Sequence, residues 1–246
     1  MSKLTRRAFI TTGVIAGGGV MVGIAMRPGN QIKNLAPKLG KDGENLVHTY
    51  IKIDGDNAIT AVIPHSEMGQ GVHTALGQML AEELDADWDR IKVEEAPALG
   101  EYASYSAGRR YLLAGIEFPK ILIPTVDGMM MRVADTLNMQ ITGGSLSVRS
   151  TGFLAMRIAG ASTREMIQRA AAKSWGVPVD EIVTEKSHVL HIPSSRREPY
   201  ATFIDEIASM TPSQTPTFKE LADYKIVGKY VPRRDIPQKV DGSAKF

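Results

Sequence analysis

The chain is 246 residues long, with 43% hydrophobic and 23% charged side chains. That is enough to bury a real core in one or two domains, and it excludes a disordered chain and a multi-span membrane protein. The formal net charge is +2, but Lys3, Arg6 and Arg7, three of the 29 basic residues, lie in the first ten positions; the remaining 26 face 27 acidic ones, so no nucleic-acid footprint is present. Cysteine is absent, which excludes disulfides, thiolate zinc sites and iron–sulfur clusters held by this chain and leaves the redox compartment open.

Thr5-Arg6-Arg7-Ala8-Phe9-Ile10 precedes a moderately apolar run from Thr11 to Met26, the layout of an export signal. The paired arginines followed by Phe9 resemble the twin-arginine signal. Gly13, Gly17, Gly18, Gly19 and Gly23 keep the run less hydrophobic than a stable membrane span. Residues 1–26 are therefore expected to be a twin-arginine signal peptide giving a periplasmic protein, with membrane anchoring through an uncleaved leader as the alternative. That route carries folded cargo, commonly with a cofactor already inserted.

Residues 27–46, rich in Pro, Gly, Asn and Lys, read as a linker. Val47 to Ile53 alternates as a strand, the Asp54-Gly55-Asp56-Asn57 cluster is a turn, and Ala58 to Ile63 is the return strand of a hairpin. From Gly71 to Leu84, Val72, Ala75, Leu76, Met79, Leu80 and Leu84 recur at helical spacing, and Ile91 to Glu94 is a short strand. The Met129–Met131 triplet reads as core or interface filler. A long helix is expected from Thr151 to Trp175, stopped by Gly176-Val177-Pro178. Ile182–Thr184 and Val189–Ile192 pair as strands, Tyr200–Met210 is a short helix, and 211–226 is a linker. The expected fold class is α+β, a mixed sheet covered by helices at about 71–85 and 152–175.

Two segments carry chemistry. In Glu67-Met68-Gly69-Gln70-Gly71-Val72-His73-Thr74, two glycines let backbone amides turn toward a ligand at a helix start, where positive potential favours an anionic or acceptor-rich group. Gln70 offers donors and an acceptor, and Thr74 sits one turn into the helix. Taken alone, the segment also fits a tight strand-to-helix turn. In Thr142-Gly143-Gly144-Ser145-Leu146-Ser147, hydroxyls interleaved with glycine amides suit a polar planar ligand or a phosphate, or simply cap a helix. Elsewhere the signals are weak. His65 and His73 match no metal spacing, and His188 and His191, three apart on a strand, face opposite sides. Glu82, Glu83, Arg164 and Glu165 read as solvated helix faces, and Arg196-Arg197 as a surface loop.

In combination, several of these segments are more specific. They are Glu67-Met68-Gly69-Gln70-Gly71-Val72, Gln78-Met79-Leu80-Ala81-Glu82-Glu83-Leu84, Thr142-Gly143-Gly144-Ser145, Met156-Arg157-Ile158-Ala159-Gly160-Ala161 and Ala170-Ala171-Ala172 ahead of Trp175. Together they resemble the molybdopterin-binding subunits of the xanthine dehydrogenase/aldehyde oxidase family. Val227-Gly228-Lys229, Arg234-Asp235-Ile236-Pro237 and Lys239-Val240-Asp241-Gly242 look like the opening of that family's α/β hammerhead domain. Its position after the Met-Gly-Gln-Gly loop is that of the exported branch with isoquinoline 1-oxidoreductase beta subunits and periplasmic aldehyde dehydrogenases. The resemblance implies a partial molybdenum-cofactor-binding domain over 47–210 and the start of a hammerhead domain over 227–246.

It further implies a molybdenum hydroxylase for aldehydes or N-heterocycles, with a molybdenum–molybdopterin cofactor that in this family can be the cytosine dinucleotide form. Gly69, Gln70 and Gly71 would contact its pterin–molybdenum end, with Thr74 beside them; Thr142, Gly143, Gly144, Ser145 and Ser147 would hold the pterin or its phosphate-bearing tail. The implied partners are a small two-iron two-sulfur subunit, the C-terminal portion of the same subunit and a cytochrome c acceptor. No residue matches the family's glutamate base, so no catalytic residue is assigned and the chain reads as an N-terminal fragment, inactive alone. The competing reading is an exported non-catalytic fragment or binding module without cofactor.

Overall fold

The computed structural model describes residues 31–39, 43–102, 113, 116–119, 122–137, 148, 152–213 and 215–244. Four strands form a mixed sheet in chain order: β1 (Glu44–His48), β2 (Ile51–Asp54), β3 (Ile59–Ile63) and β4 (Lys92–Glu95). The strand expected over 47–53 is folded into two. Thr49 and Tyr50 form a turn, and β1 pairs antiparallel with β2 across an irregularity between Leu46 and His48. The expected return strand holds its register, with Ile51 opposite Ala61 and Ile53 opposite Ile59. Asp54 closes the turn between them by accepting the amides of Asp56 and Ala58 at 3.0 and 2.8 Å.

Every residue of β3 is buried, which explains its nearly unbroken apolar run. Strand β4 joins β3 in parallel, so the chain must cross over between them, and helix α2 (Val72–Leu84) makes that crossing. Lys52, on the alternate face of β2, is buried rather than solvated. Its ammonium group lies 2.8 Å from Glu44 and 2.6 Å from Glu94, so the buried charge is paired twice.

Helix α4 (Phe153–Trp175) crosses α2 very closely at Gly160. A Cβ on Gly160 would lie 2.5 Å from the Leu80 carbonyl oxygen and 2.9 Å from the Glu83 Cβ, so only glycine fits. Leu76, Leu80 and Leu84 of α2 and Met156, Ile158, Ala159, Ile167 and Ala170 of α4 are buried in this unit's core. Gly176, at φ 66°, ends α4 as expected. A second sheet follows in the order β5 (Ile182–Glu185), β6 (His188–His191), β7 (Arg196–Pro199), antiparallel throughout. Strand β7 replaces the surface loop expected at Arg196-Arg197; its side chains are largely exposed, so no apolar alternation marks it. Beyond it the Tyr200–Phe203 stretch is a 3₁₀ turn, and only Ile204–Ile207 is α-helical (α5), shorter than expected. The Tyr200 hydroxyl donates to the Leu84 carbonyl at 2.8 Å, tying this segment to the end of α2.

The 27–46 linker reading is corrected by α1 (Gln31–Leu39), whose Leu35 is fully buried, and by the start of β1 at Glu44. The described residues divide into two compact units, one within 31–95 and 156–244, the other within 96–155. Residues 211–244 thus belong with α2 and α4, with no break near 226, and end in α6 (Ile236–Asp241). In the other unit α3 (Ile123–Thr136) buries Met130 and Ala134 beneath Leu113 and Val126, while Met129 is exposed.

The Gly160 crossing gives a direct test of this packing. Gly160→Ala is expected to cost about 1–3 kcal/mol of stability through overpacking, read as a lower midpoint in urea unfolding. An unchanged midpoint would mean that α2 and α4 do not meet there.

Candidate functional site

Strand β3 leads through Pro64 and the buried His65 into the Glu67–Gly71 loop, which caps α2. Gly69 and Gly71 have φ values of 97° and 78°, in the left-handed region that favours glycine. Their amides do turn inward, as the sequence suggested, but toward a group of this chain. The Glu67 carboxylate accepts from the amides of Gly69 at 2.8 Å, Gly71 at 2.9 Å and His73 at 3.3 Å. Glu67 thus sits in the anion position of a helix N-terminus. Burial pushes its carboxyl up, but the amides of Gly71, His73 and Gly69 outweigh burial and hold it below the usual carboxylate range.

Gln70 is exposed, and its side chain folds along the loop. Its Nε2 donates to the Ser66 carbonyl at 2.8 Å and its Oε1 accepts from the Met68 amide. A primary amide has two N–H donors, so one N–H of Gln70 remains to reach a ligand.

The other expected residues of this segment meet the chain's own C-terminal part. The Arg233 guanidinium donates to the Gly69 carbonyl at 2.8 Å and to Glu67 at 3.2 Å, and Asp235 grips it at 2.9 and 2.6 Å. A Cβ at Gly71 would lie in ordinary contact with that guanidinium, 3.9 Å away, so it is the left-handed backbone and not lack of space that favours glycine there. The Thr74 hydroxyl accepts from the Arg234 amide at 2.9 Å, and the Arg234 side chain lies over Trp88, 4.6 Å from the ring centre. Hydrogen bonds accepted from Arg233, with one from Lys239, hold the Asp235 carboxyl well below the carboxylate range.

The far end of α2 is organised in the same way. Glu82 and Glu83, expected on a solvated face, are 1% and 0% exposed. The Glu82 carboxylate accepts from the consecutive amides of Lys225, Ile226 and Val227 and from the Lys219 ammonium at 2.6 Å. Glu83 pairs with Arg157 at 2.7 Å and accepts the Lys219 amide at 3.0 Å. Arg164 is buried as well, donating to the carbonyls of Glu83 and Thr217 at 2.7 Å, and Glu165 accepts the Thr217 amide. The solvated reading fails for Glu82, Glu83 and Arg164, over which residues 217–227 lie, while Glu165 stays partly exposed.

Burial alone would raise the Glu82 carboxyl; the Lys219 ammonium and the amides of Lys225, Val227 and Ile226 lower it instead. A carboxyl whose folded pKa lies below its unfolded value stabilises fully above the unfolded value, about 4.3, and loses that contribution as pH falls through the folded one.

His188 and His191 face opposite sides of β6 as expected, and His191 is held between Glu181 at 2.8 Å and Ser194 at 2.6 Å. His73 Nε2 lies 2.8 Å from the His65 carbonyl. Among the described residues no group of three or more His, Cys, Asp or Glu is arranged to hold a metal ion. The second expected segment, Thr142, Gly143, Gly144, Ser145 and Ser147, lies outside the described residues. Sequence reasoning missed Glu67, Arg233 and Asp235 as parts of this site. The available signals were a carboxylate four residues before the capping glycine and an Arg-Arg-Asp cluster.

Of the expected contact residues that the structure describes, Gln70 is the one with a polar group turned to solvent and able to meet a ligand such as a pterin. The amides of Gly69 and Gly71 and the hydroxyl of Thr74 are already bonded within the chain, whereas the Gln70 carboxamide is exposed and keeps a donor. The described loop therefore suits an edge contact rather than an enclosed cradle.

Comparison with known proteins bears on the nature of that ligand. The molybdopterin cofactor-binding domain family matches residues 6–110, a span that begins inside the stretch read as a leader and includes the Gln70 loop. Isoquinoline 1-oxidoreductase subunit beta of Brevundimonas diminuta is 27% identical over 98% of this chain and 31% of its own length. The membrane-bound aldehyde dehydrogenase [pyrroloquinoline-quinone] of Gluconacetobacter polyoxogenes is 29% identical over 99% of this chain and 27% of its own. Among solved structures, quinoline 2-oxidoreductase from Pseudomonas putida 86 superposes with a TM-score of 0.40 at 16% identity, over 68% of this chain and 17% of that one. The chain thus spans less than a third of each of these relatives. It is similar, over residues 6–110, to the molybdopterin cofactor-binding domain family and, over nearly its whole length, to part of each of the first two of these oxidoreductases.

Proposed function

We propose that the chain is the N-terminal portion of the large subunit of a periplasmic molybdenum hydroxylase that oxidises aldehydes or N-heterocycles. The observation that carries this reading is the exposed Gln70 carboxamide, held on a glycine-capped helix start inside the molybdopterin-domain match. When bound, the cofactor supplies two-electron oxidation with oxygen transfer. This chain's contribution is positional: Gln70 donates an N–H to the cofactor, and Thr142, Gly143, Gly144, Ser145 and Ser147 hold the pterin or its phosphate-bearing tail, the cytosine dinucleotide form being one such tail. The base that moves the proton belongs to the remainder of the large subunit. This chain, without cysteine, offers no thiolate for a cluster, so a small two-iron two-sulfur subunit and a cytochrome c would be the partners that accept the electrons.

A second reading is an exported binding module without cofactor. It is favoured by the bonds that already occupy the amides of Gly69 and Gly71.

Metal analysis by mass spectrometry separates the two. The purified chain is expected to hold little molybdenum and to oxidise neither aldehydes nor heterocycles with an artificial acceptor. Co-expressed with the remainder of a large subunit and an iron–sulfur subunit, it is expected to retain molybdenum. Gln70→Ala should weaken that retention by about 1.5–3 kcal/mol, the contribution of one hydrogen bond to a charged group. Stoichiometric molybdenum and turnover in the lone chain would overturn the reading as a portion, and a molybdenum-free complex would overturn the cofactor.

Export is tested separately. With Arg6 and Arg7 both replaced by Lys, fractionation should find the protein in the cytoplasm; a periplasmic variant would contradict the twin-arginine route.

A further inference from the structure

The strongest unabsorbed feature is the set of charged groups around the Gln70 loop. The Glu67 side chain is 6% exposed, although it lies on a surface loop, and it faces Arg233 and Asp235. Its two oxygens gather the amides of Gly69, Gly71 and His73, and the Arg233 fork holds both Glu67 and the Gly69 carbonyl. The ties to Gly69 and Gly71 act on the two neighbours of Gln70, those at Glu67 and His73 act three positions away on either side, and Gln70 itself bonds the loop backbone at Ser66 and Met68. Left-handed backbone at Gly69 and Gly71 gives the loop wide freedom unless something fixes it.

We propose that Glu67 and Arg233 are positioning residues of the cofactor site: Glu67 is the internal anion that folds the loop, and Arg233 is the clasp that locks it to the C-terminal segment, so that Gln70 presents its carboxamide in one pose. The proposal rests on the cofactor reading above and adds two residues to it. A planar five-donor guanidinium is required at Arg233, because it bonds Asp235, Glu67 and a carbonyl at once.

The test uses Glu67→Gln, Arg233→Ala and Arg233→Lys in the full chain and in the co-expressed complex. In the chain, amide hydrogen exchange at Gly69, Gly71 and His73 should accelerate by about tenfold or more on loss of a charge-assisted bond, while the β3 amides stay protected as the control for folding. In the complex, the fraction of molybdenum retained after gel filtration should fall by about tenfold in Glu67→Gln and Arg233→Ala. Arg233→Lys, which keeps the charge and loses the fork, should rescue only in part. Unchanged exchange at the loop amides would overturn the clasp. Faster exchange with molybdenum retention equal to wild type would overturn the positioning role. A wild-type complex without molybdenum would instead sink the cofactor reading, and the positioning role with it.

Discussion

The arrangement depends on carboxylates placed at both ends of one helix. Glu82 and Glu83 near the C-terminus of α2, and Glu67 in its N-terminal loop, gather backbone amides and basic side chains from residues 217–235. Between them Gln78 reaches the Ile226 carbonyl and Thr74 accepts the Arg234 amide, so the segment follows α2 from one end to the other. Buried carboxylates without partners would be strongly destabilising; here each is surrounded by donors, and the cost of burial is offset by charge-assisted bonds. Removing one partner would leave the others buried and uncompensated. The helix that makes the β3–β4 crossover is therefore also the platform for the last part of the chain.

This explains where reading the sequence succeeded. Helix α2 and helix α4 announce themselves by apolar spacing and by Gly176, and the β2–β3 turn by Asp54 and Asn57, because each is a local property. Glu82 and Glu83 misled because two adjacent carboxylates on an amphipathic helix ordinarily face water. Their burial is imposed by residues 136 to 145 positions away, which no local pattern encodes. Strand β7 carries exposed charges and pairs only through its backbone, so it looked like a loop. Helix α1, with Pro37 inside it and polar composition around it, looked like a linker, yet Leu35 is fully buried.

The site was legible to the same degree. Glycines at 69 and 71 do set the backbone turned toward an anion, as the helix start and their freedom suggested. The anion in this structure is Glu67, and the residue left to reach outward is Gln70. A Gly-x-Gly pattern reports that amides converge, not which group they converge on; that depends on whether a carboxylate of the chain can reach them. Arg233 and Asp235 came to the site through the long-range path of the C-terminal segment.

The most direct measurement is amide hydrogen exchange at Lys225, Ile226 and Val227 in the full chain. If Glu82 holds them as described, all three are protected to an extent comparable with the β3 amides, and Glu82→Ala brings them toward free-peptide rates while β3 changes much less. Free-peptide exchange at these amides in the wild-type protein would contradict the account, because the C-terminal segment would then not be held on α2.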